Sequence, residues 1–324
     1  WCKPGVAFPR LEDCVRHLKQ QGFKVSVDSG DPEELRRGAQ AGADFLLSLT
    51  EETLDIADGL AAVPVLIPAV QGDLESLVRA AERARARGIA FLLDPILDPI
   101  HFGFAASLQR YTELRARLPD AEMLMGTGNI TELTDADSSG VTAVLMGVCS
   151  ELAIRNVLVV QVSPHTRRTV AEHDFARRLM FASRRDGALP QGYASGLLQV
   201  HDRHPFAESP RDIEEDAALV RDANFRIAVA ENGVHIYSSR MHAQGREALS
   251  FFPKLGVEQD GAHAFYLGTE LMKAEIAASL GKRYAQDEPL DWGCAAPRAE
   301  RDVTRLAEAG HTLRAKRGGD ADDP

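Results

Sequence analysis

Asp28, Ser48, Asp94, the run Gly126 to Asn129, Gln161 and Ser163 are the residues whose types and places suit chemistry. Each stands at or just past the end of an apolar run. Together they supply two carboxylates, amides and hydroxyls. A carboxylate accepts two parallel hydrogen bonds in fixed geometry, so this set suits a heterocycle with adjacent N–H donors. No nucleophile triad, zinc-type cluster or lysine-bearing phosphate loop competes with it, and no metal ligands are predicted. Gly126-Thr-Gly128-Asn129 resembles a phosphate-cradling loop, but two glycines alone are a weak signal.

A strand-end aspartate is more often a helix cap or turn former than a functional group. Asp31 stands directly before Pro32 and fills the cap position better than Asp28, which releases Asp28 for other work. In Asp94-Pro-Ile-Leu-Asp98-Pro, Asp98 reads as the turn residue while Asp94 directly ends the strand.

The elements that must position these residues alternate through the first half of the chain. Apolar runs occur at Val25–Asp28, Asp44–Ser48, Val63–Ile67, Ile89–Asp94, Glu122–Gly126 and Asn156–Val160. Amphipathic helical patterns separate most of them, for example Leu11 to Gln21 and Leu74 to Ala86. Nearly continuous hydrophobic strands between helices are what a parallel sheet covered on both faces requires. The expected fold is a TIM-type (β/α) barrel in which polar strand ends line the mouth. Six strands are visible where a closed barrel needs eight, so the first strands are expected to precede Trp1, with Trp1 to Gly5 as a loop. On cadence alone a doubly wound open sheet stays open.

The cadence fails after about residue 190. Phe225–Ala230 and Val234–Tyr237 flank Glu231-Asn-Gly233, a hairpin signal, and Ala262 to Leu280 is a long amphipathic helix that Gly281 can end. The expected division is a barrel over 1–190, a smaller α+β module over 191–295 and a charged, disordered tail over 296–324.

The 324 residues are 44% hydrophobic and 26% charged, an ordinary globular composition, and the formal net charge is -11. That balance disfavours a general nucleic-acid binder, whose affinity comes from neutralising phosphates. The four cysteines, Cys2, Cys14, Cys149 and Cys294, show no ligand spacing. No signal peptide or run of membrane-spanning length is seen, so a cytoplasmic protein with no membrane partner is expected. Composition and spacing alone stop at a barrel enzyme or binder of unidentified ligand.

Val25-Ser-Val-Asp28-Ser with Ala41-Gly-Ala-Asp44, Asp94-Pro95 with His101-Phe-Gly103-Phe, and Met125-Gly-Thr-Gly-Asn129 with Asp135-Ala-Asp137-Ser-Ser-Gly140 resemble the pterin-binding barrels. Those include dihydropteroate synthases and corrinoid-linked methyltetrahydrofolate methyltransferases. The chain as a whole is similar to the dihydropteroate-synthase-like proteins of methanogens and methylotrophs, which occur alongside tetrahydromethanopterin. That resemblance extends through Asp94 to Ser107 and covers His263-Ala-Phe-Tyr-Leu-Gly268 and Lys282-Arg-Tyr-Ala-Gln-Asp287.

The resemblance implies a reduced pterin as substrate or ligand, with Asp28 and Asp94 on its 2-amino and ring-nitrogen edge. It implies Asn129 near the reactive nitrogen and Asp94 with Asn129 as the catalytic pair; Ser48, Gln161 and Ser163 are further binding candidates from their strand-end positions. Ser48 stands where both families have Asn. Synthases carry a Lys after the seventh strand and an Arg-x-His after the eighth, where this chain has Gly128-Asn129 and Gln161-Val-Ser163. His165, Arg167 and Arg168 could replace that anion site, with Mg²⁺ as its aid, or form a solvated helix start. His263 and Lys273 stay open between the barrel mouth and the surface of their helix.

Two classes of function follow from the resemblance. One is a transferase of one-carbon metabolism, either condensing a dihydropterin pyrophosphate with an arylamine in tetrahydromethanopterin synthesis or moving a one-carbon group. Only the latter requires a corrinoid protein as partner. The other is a non-catalytic pterin carrier, sensor or assembly subunit. A homodimer is compatible with each.

Overall fold

The computed structural model describes residues 6–297. The loop expected at Trp1 to Gly5 and nearly all of the tail expected over 296–324 lie outside the described residues. The chain divides into two compact units, Trp1–Tyr193 and Ala194–Pro324.

The first unit is α/β. Its elements run α1 (Leu11–Gln20), β1 (Ser26–Asp28), α2 (Pro32–Gln40), β2 (Phe45–Leu49), β3 (Val63–Leu66), α3 (Leu74–Ala86), β4 (Leu92–Leu93) and α4 (Phe104–Arg117). β5 (Leu124–Gly126), α5 (Gly128–Thr131), α6 (Ser138–Glu151), β6 (Asn156–Leu158) and α7 (Thr169–Arg185) follow. Strands β1 to β4 pair in parallel and in sequence order, as do β5 and β6. A parallel bridge between Leu93 and Met123 joins the two sets, so all six carboxyl ends lie at one end of the sheet.

Both faces of this sheet are apolar because its strands are apolar at consecutive positions. Leu47, Val65, Leu92 and Leu124 cluster on one face with Phe45, Val63 and Ile67. Leu46, Leu93, Met123 and Met125 are fully buried, and along their strands they alternate with that cluster. Burying each such side chain contributes about 1.5–3 kcal/mol. The helix starts follow the sequence: Asp31 caps α2 by accepting from the Glu33 N–H at 2.9 Å, and Asp73 caps α3 through the Ser76 N–H.

β4 keeps only two residues of the run read as Ile89 to Asp94. Strand β2 carries a register shift between Leu47 and Leu49, so Ser48 is its bulged residue. Its preceding peptide, Leu47–Ser48, is cis. A bulge re-aims the side chain it carries.

In the second unit, β7 (Arg226–Ala230), β8 (Gly233–Ser238) and β9 (Met241–Gly245) form an antiparallel sheet in that order. Helices α8 (Pro210–Leu219), α9 (Phe252–Leu255) and α10 (Gly261–Leu280) accompany it. Every residue of β8 is buried. Val234 and Ile236 pack with Leu267, Leu271 and Ala274 of α10, while Tyr237 packs with Ile213 of α8. Gly281 ends α10 in the left-handed conformation, φ 62°. The turn between β7 and β8 centres on Glu231-Asn232, one residue earlier than the Asn-Gly signal, because Gly233 already pairs with Ala230. Gly233 is required for closeness as well as for φ 126°: a Cβ there would lie 2.6 Å from the Gly245 carbonyl oxygen.

The segment after β4 is fixed by a buried ion pair. Asp98, 3% exposed, accepts from Arg110 of α4 and from Gln71 at 2.8 Å. Arg110 also donates to the Ile96 carbonyl at 3.0 Å. Removing one partner of a buried pair leaves the other charge uncompensated, at about 3–5 kcal/mol. Arg110→Ala should therefore destabilise the first unit by that amount in urea denaturation, and Asp98→Asn combined with Arg110→Met should recover most of it.

Candidate functional site

Asp94 follows β4 directly and extends its pairing, with its N–H donating to the Leu66 carbonyl at 2.9 Å. The chain then turns through Ile96 at φ 64°, a conformation costly for a β-branched residue. The turn returns the Ile96 N–H to Asp94 Oδ1 at 2.8 Å. The hydroxyl of Tyr111, a fully buried α4 residue, donates to the same oxygen at 2.7 Å. Among the described residues Oδ2 has no hydrogen-bond partner. Burial pushes the Asp94 carboxyl up to about 6, against the lowering effect of the Tyr111 and Ile96 bonds.

Asp94 and Asn129 line one small cavity of about 160 Å³. Gly126 and Gly128 form its floor at the end of β5, and Ile96, Leu97, Leu158 and Val160 supply apolar walls. Asn129 is placed by its amide, whose Nδ2 donates to the Leu97 carbonyl at 2.8 Å, leaving its Oδ1 as an acceptor. The cavity is smaller than the ~300–1,000 Å³ of whole-ligand pockets, so it accommodates the edge of a ring. No cationic side chain is among the residues that line it.

The other predicted residues stand elsewhere. Asp28 ends β1, three strand spacings or about 14 Å along the sheet from β4. Its surface is exposed, yet the protein around it desolvates the carboxyl enough to raise its pKa. Neither Asp28 nor Ser48 lines the cavity. β6 ends at Leu158, so Gln161 and Ser163 lie in the loop beyond it, Gln161 exposed.

Ser163 gives its N–H to Glu132 Oε2 at 2.9 Å, and its side chain bonds the same carboxylate. Glu132 also accepts from the Val162 N–H and the Thr166 hydroxyl at 2.8 and 2.7 Å. Burial alone would raise Glu132, but these bonds outweigh it and hold the carboxyl at about 2. His165 bonds the Thr131 carbonyl at 3.0 Å, and Arg167 is exposed. His263 and Lys273 make their contacts inside the second unit, Lys273 with Glu270 at 2.6 Å. There Glu270, Tyr284, Asp287, Gln286 and Tyr266 form one hydrogen-bonded network, which joins the His263–Gly268 and Lys282–Asp287 motifs through Tyr266, Tyr284, Gln286 and Asp287.

Three residues that support the site were not singled out from the sequence: Tyr111, Glu132 and His173. His173 is buried in α7 and bonds Thr127, between Gly126 and Gly128, at 3.0 Å. Tyr111 and His173 occupy helix positions that read as ordinary buried residues. Glu132 reads as surface charge. Their only signal is a polar atom on an element that the topology brings beneath the strand ends.

No family model matches the chain. An uncharacterized protein of Methanocaldococcus jannaschii is 27% identical over 303 residues, covering 81% of this chain and 57% of that protein. The chain thus spans little more than half the length of this relative. A dihydropteroate synthase of Yersinia pestis, solved with a pterine-sulfa conjugate, superposes with a TM-score of 0.42 at 20% identity, covering 54% of this chain and 75% of that one. The dihydropteroate synthase of Thermus thermophilus, solved with 4-aminobenzoate, gives 0.41 at 21% over 54% and 80%. These likenesses fix no family. At such values no residue role transfers from them, because one fold hosts many functions.

Among the described residues no group of three or more His, Cys, Asp or Glu could hold a metal ion, and no helix is long and apolar enough to cross a membrane.

The raised Asp94 carboxyl has a stability consequence. Its folded value of about 6 lies above the ordinary 3.8, so the native state binds more protons between pH 4 and 6. Stability is then highest below pH 4 and falls as pH rises through 6, by at most about 3 kcal/mol for this group. Asp94→Asn, which keeps an acceptor for Tyr111 and Ile96, should be more stable than wild type by roughly 1–3 kcal/mol at pH 7. Urea denaturation at pH 7 and pH 4.5 checks this, and an equal gain at both values would contradict it.

Proposed function

We propose that this chain binds a reduced pterin at the carboxyl ends of its parallel strands, as a dihydropteroate-synthase-like protein. The observation that carries the reading is the shared cavity of Asp94 and Asn129. A partly buried carboxylate with one uncommitted oxygen and an amide with a free acceptor face apolar walls. A flat, nitrogen-rich ring with an N–H edge satisfies both, and the motifs around Asp28, Asp94 and Asn129 resemble those of pterin-binding barrels. Asp28 would take a second contact on the same ligand if the sheet curls toward a (β/α)₈ barrel.

Barrel closure belongs to this proposal. β1 and β6 are the outer strands of the six-stranded order, and a groove of about 780 Å³ runs beside β6 between α6 and α7. None of the predicted site residues lines that groove. Two further parallel strands between β1 and β6 would complete eight.

The reaction proposed is a transfer on the pterin in one-carbon metabolism, with tetrahydromethanopterin synthesis as its setting. In condensation the pterin C–O bond to pyrophosphate breaks, the C–N bond to an arylamine forms, and the amine loses a proton to solvent or a base. Asp94 would stabilise the positive charge that develops on the pterin. The departing anion needs cationic groups from outside the cavity, and His165, Arg167 and Arg168 are the candidates within this chain; Mg²⁺ would have to arrive with the pyrophosphate, whose oxygens suit it.

A second reading, a non-catalytic pterin carrier, is favoured by one specific observation. A Cβ at Gly128 would lie 2.8 Å from Val160 Cγ2, so a side chain there would require Val160 to shift, and Gly128-Asn129 is where the resemblance puts the lysine of the synthases.

Calorimetric titration with 6-hydroxymethyl-7,8-dihydropterin tests binding. Wild type should bind, and Asp94→Asn should bind roughly 10-fold to 150-fold more weakly, the worth of a charged hydrogen bond of about 1.5–3 kcal/mol. An inert wild type would end the pterin reading. Turnover of the corresponding pyrophosphate with an arylamine separates enzyme from carrier.

A further inference from the structure

We propose that Tyr111 is a positioning residue of this site: its hydroxyl, together with the Ile96 N–H, fully engages Asp94 Oδ1, so that Asp94 meets its ligand through Oδ2 alone. The inference rests on the cavity as the binding site but does not require the ligand to be a pterin.

The geometry carries it. Asp94 Oδ1 accepts from the Tyr111 hydroxyl at 2.7 Å and from the Ile96 N–H at 2.8 Å. An ionised carboxylate offers about four acceptor sites, two on each oxygen, so Oδ1 is saturated. Asp94 itself lines the cavity. A ligand cannot then lay a two-pronged N–H fork across both oxygens, as Arg does on a free carboxylate. It must bring its donors to a single oxygen, which restricts the angle at which a ring edge enters.

Two donors from different elements, one on α4 and one in the turn after β4, also fix the rotation of the carboxylate plane. Tyr111 can only donate here, because burial and the neighbouring Asp94 push its own phenol well above its ordinary value. Two other ionisable groups act on Tyr111, namely Arg110 and Cys149. Arg110 is held in a buried ion pair by Asp98. The Cys149 thiol is pushed up to about 12 by burial and stays neutral.

A buried tyrosine could merely be satisfying its own hydroxyl. The two roles differ in what Asp94 reports. If Tyr111 supports the ionised carboxylate, removing its hydroxyl raises the Asp94 midpoint by about one pH unit, a hydrogen bond's typical effect on a carboxylate. At pH 6 the ionised fraction would then fall about fivefold, while at pH 8 it would change by only about a tenth.

The test uses the full chain labelled at aspartate carboxyl carbons, with the Asp94 resonance assigned by its loss in Asp94→Asn and titrated by NMR without ligand. Tyr111→Phe should move the midpoint upward by about one unit. Should that variant not fold, replacing tyrosine by 3-fluorotyrosine, a stronger donor, should move it downward. A midpoint that stays put in the folded variant overturns the proposal. Affinity for 6-hydroxymethyl-7,8-dihydropterin should also fall more in Tyr111→Phe at pH 6 than at pH 8, and an equal loss at both would assign the hydroxyl a purely structural role. A shifted midpoint in a protein whose wild type binds no pterin would leave Tyr111's role standing and remove the pterin reading alone.

Discussion

Leu93 donates its backbone N–H to the Glu122 carbonyl at 3.0 Å, and with the Leu93–Met123 bridge this contact carries parallel register from the four-stranded sheet into β5 and β6. Everything at the site depends on it. Asp94 is the next residue after Leu93, and Asn129 follows β5 by three positions. Were the two sheets offset, the carboxylate and the amide would open at different levels and no common cavity would exist. The bond between Asn129 and the Leu97 carbonyl repeats the link at the level of the loops.

Around that junction, polar groups restrain loops that backbone pairing cannot reach. The Asp98–Arg110 pair fixes the turn after β4, Glu132 gathers the segment after β6, and His173 anchors Thr127 from below. Each tie runs from a helix or helix end to the segment just past a strand end. A rigid rim of this kind preorganises the cavity walls, so ligand binding need not order them.

The parallel strands of the first unit were largely legible in the sequence because strands buried on both faces must be apolar almost throughout, as Val63–Ile67 is; Asn156–Val160 reads alike, although only Asn156–Leu158 is strand and none of its residues is buried. Helix starts were legible from chemistry, as with Asp31-Pro32. β9 was not, since Met241-His-Ala-Gln-Gly alternates too weakly to stand out. Of the candidate site, Asp94 and Asn129 were readable as polar residues at strand ends and share a cavity. Ser163 looked equivalent, yet its N–H and side chain are engaged by Glu132, a partnership between residues 31 positions apart that no local pattern encodes. The same distance problem hid Tyr111, whose hydroxyl serves an aspartate 17 residues earlier.

Val160 approaches Gly128 closely at the cavity of Asp94 and Asn129. A side chain at position 128 would have to displace Val160, which borders the same cavity and is partly exposed. A smaller residue at 160 would make that room and enlarge the cavity at the same time. The two positions are therefore sterically coupled, and the residue at one limits what the other can hold.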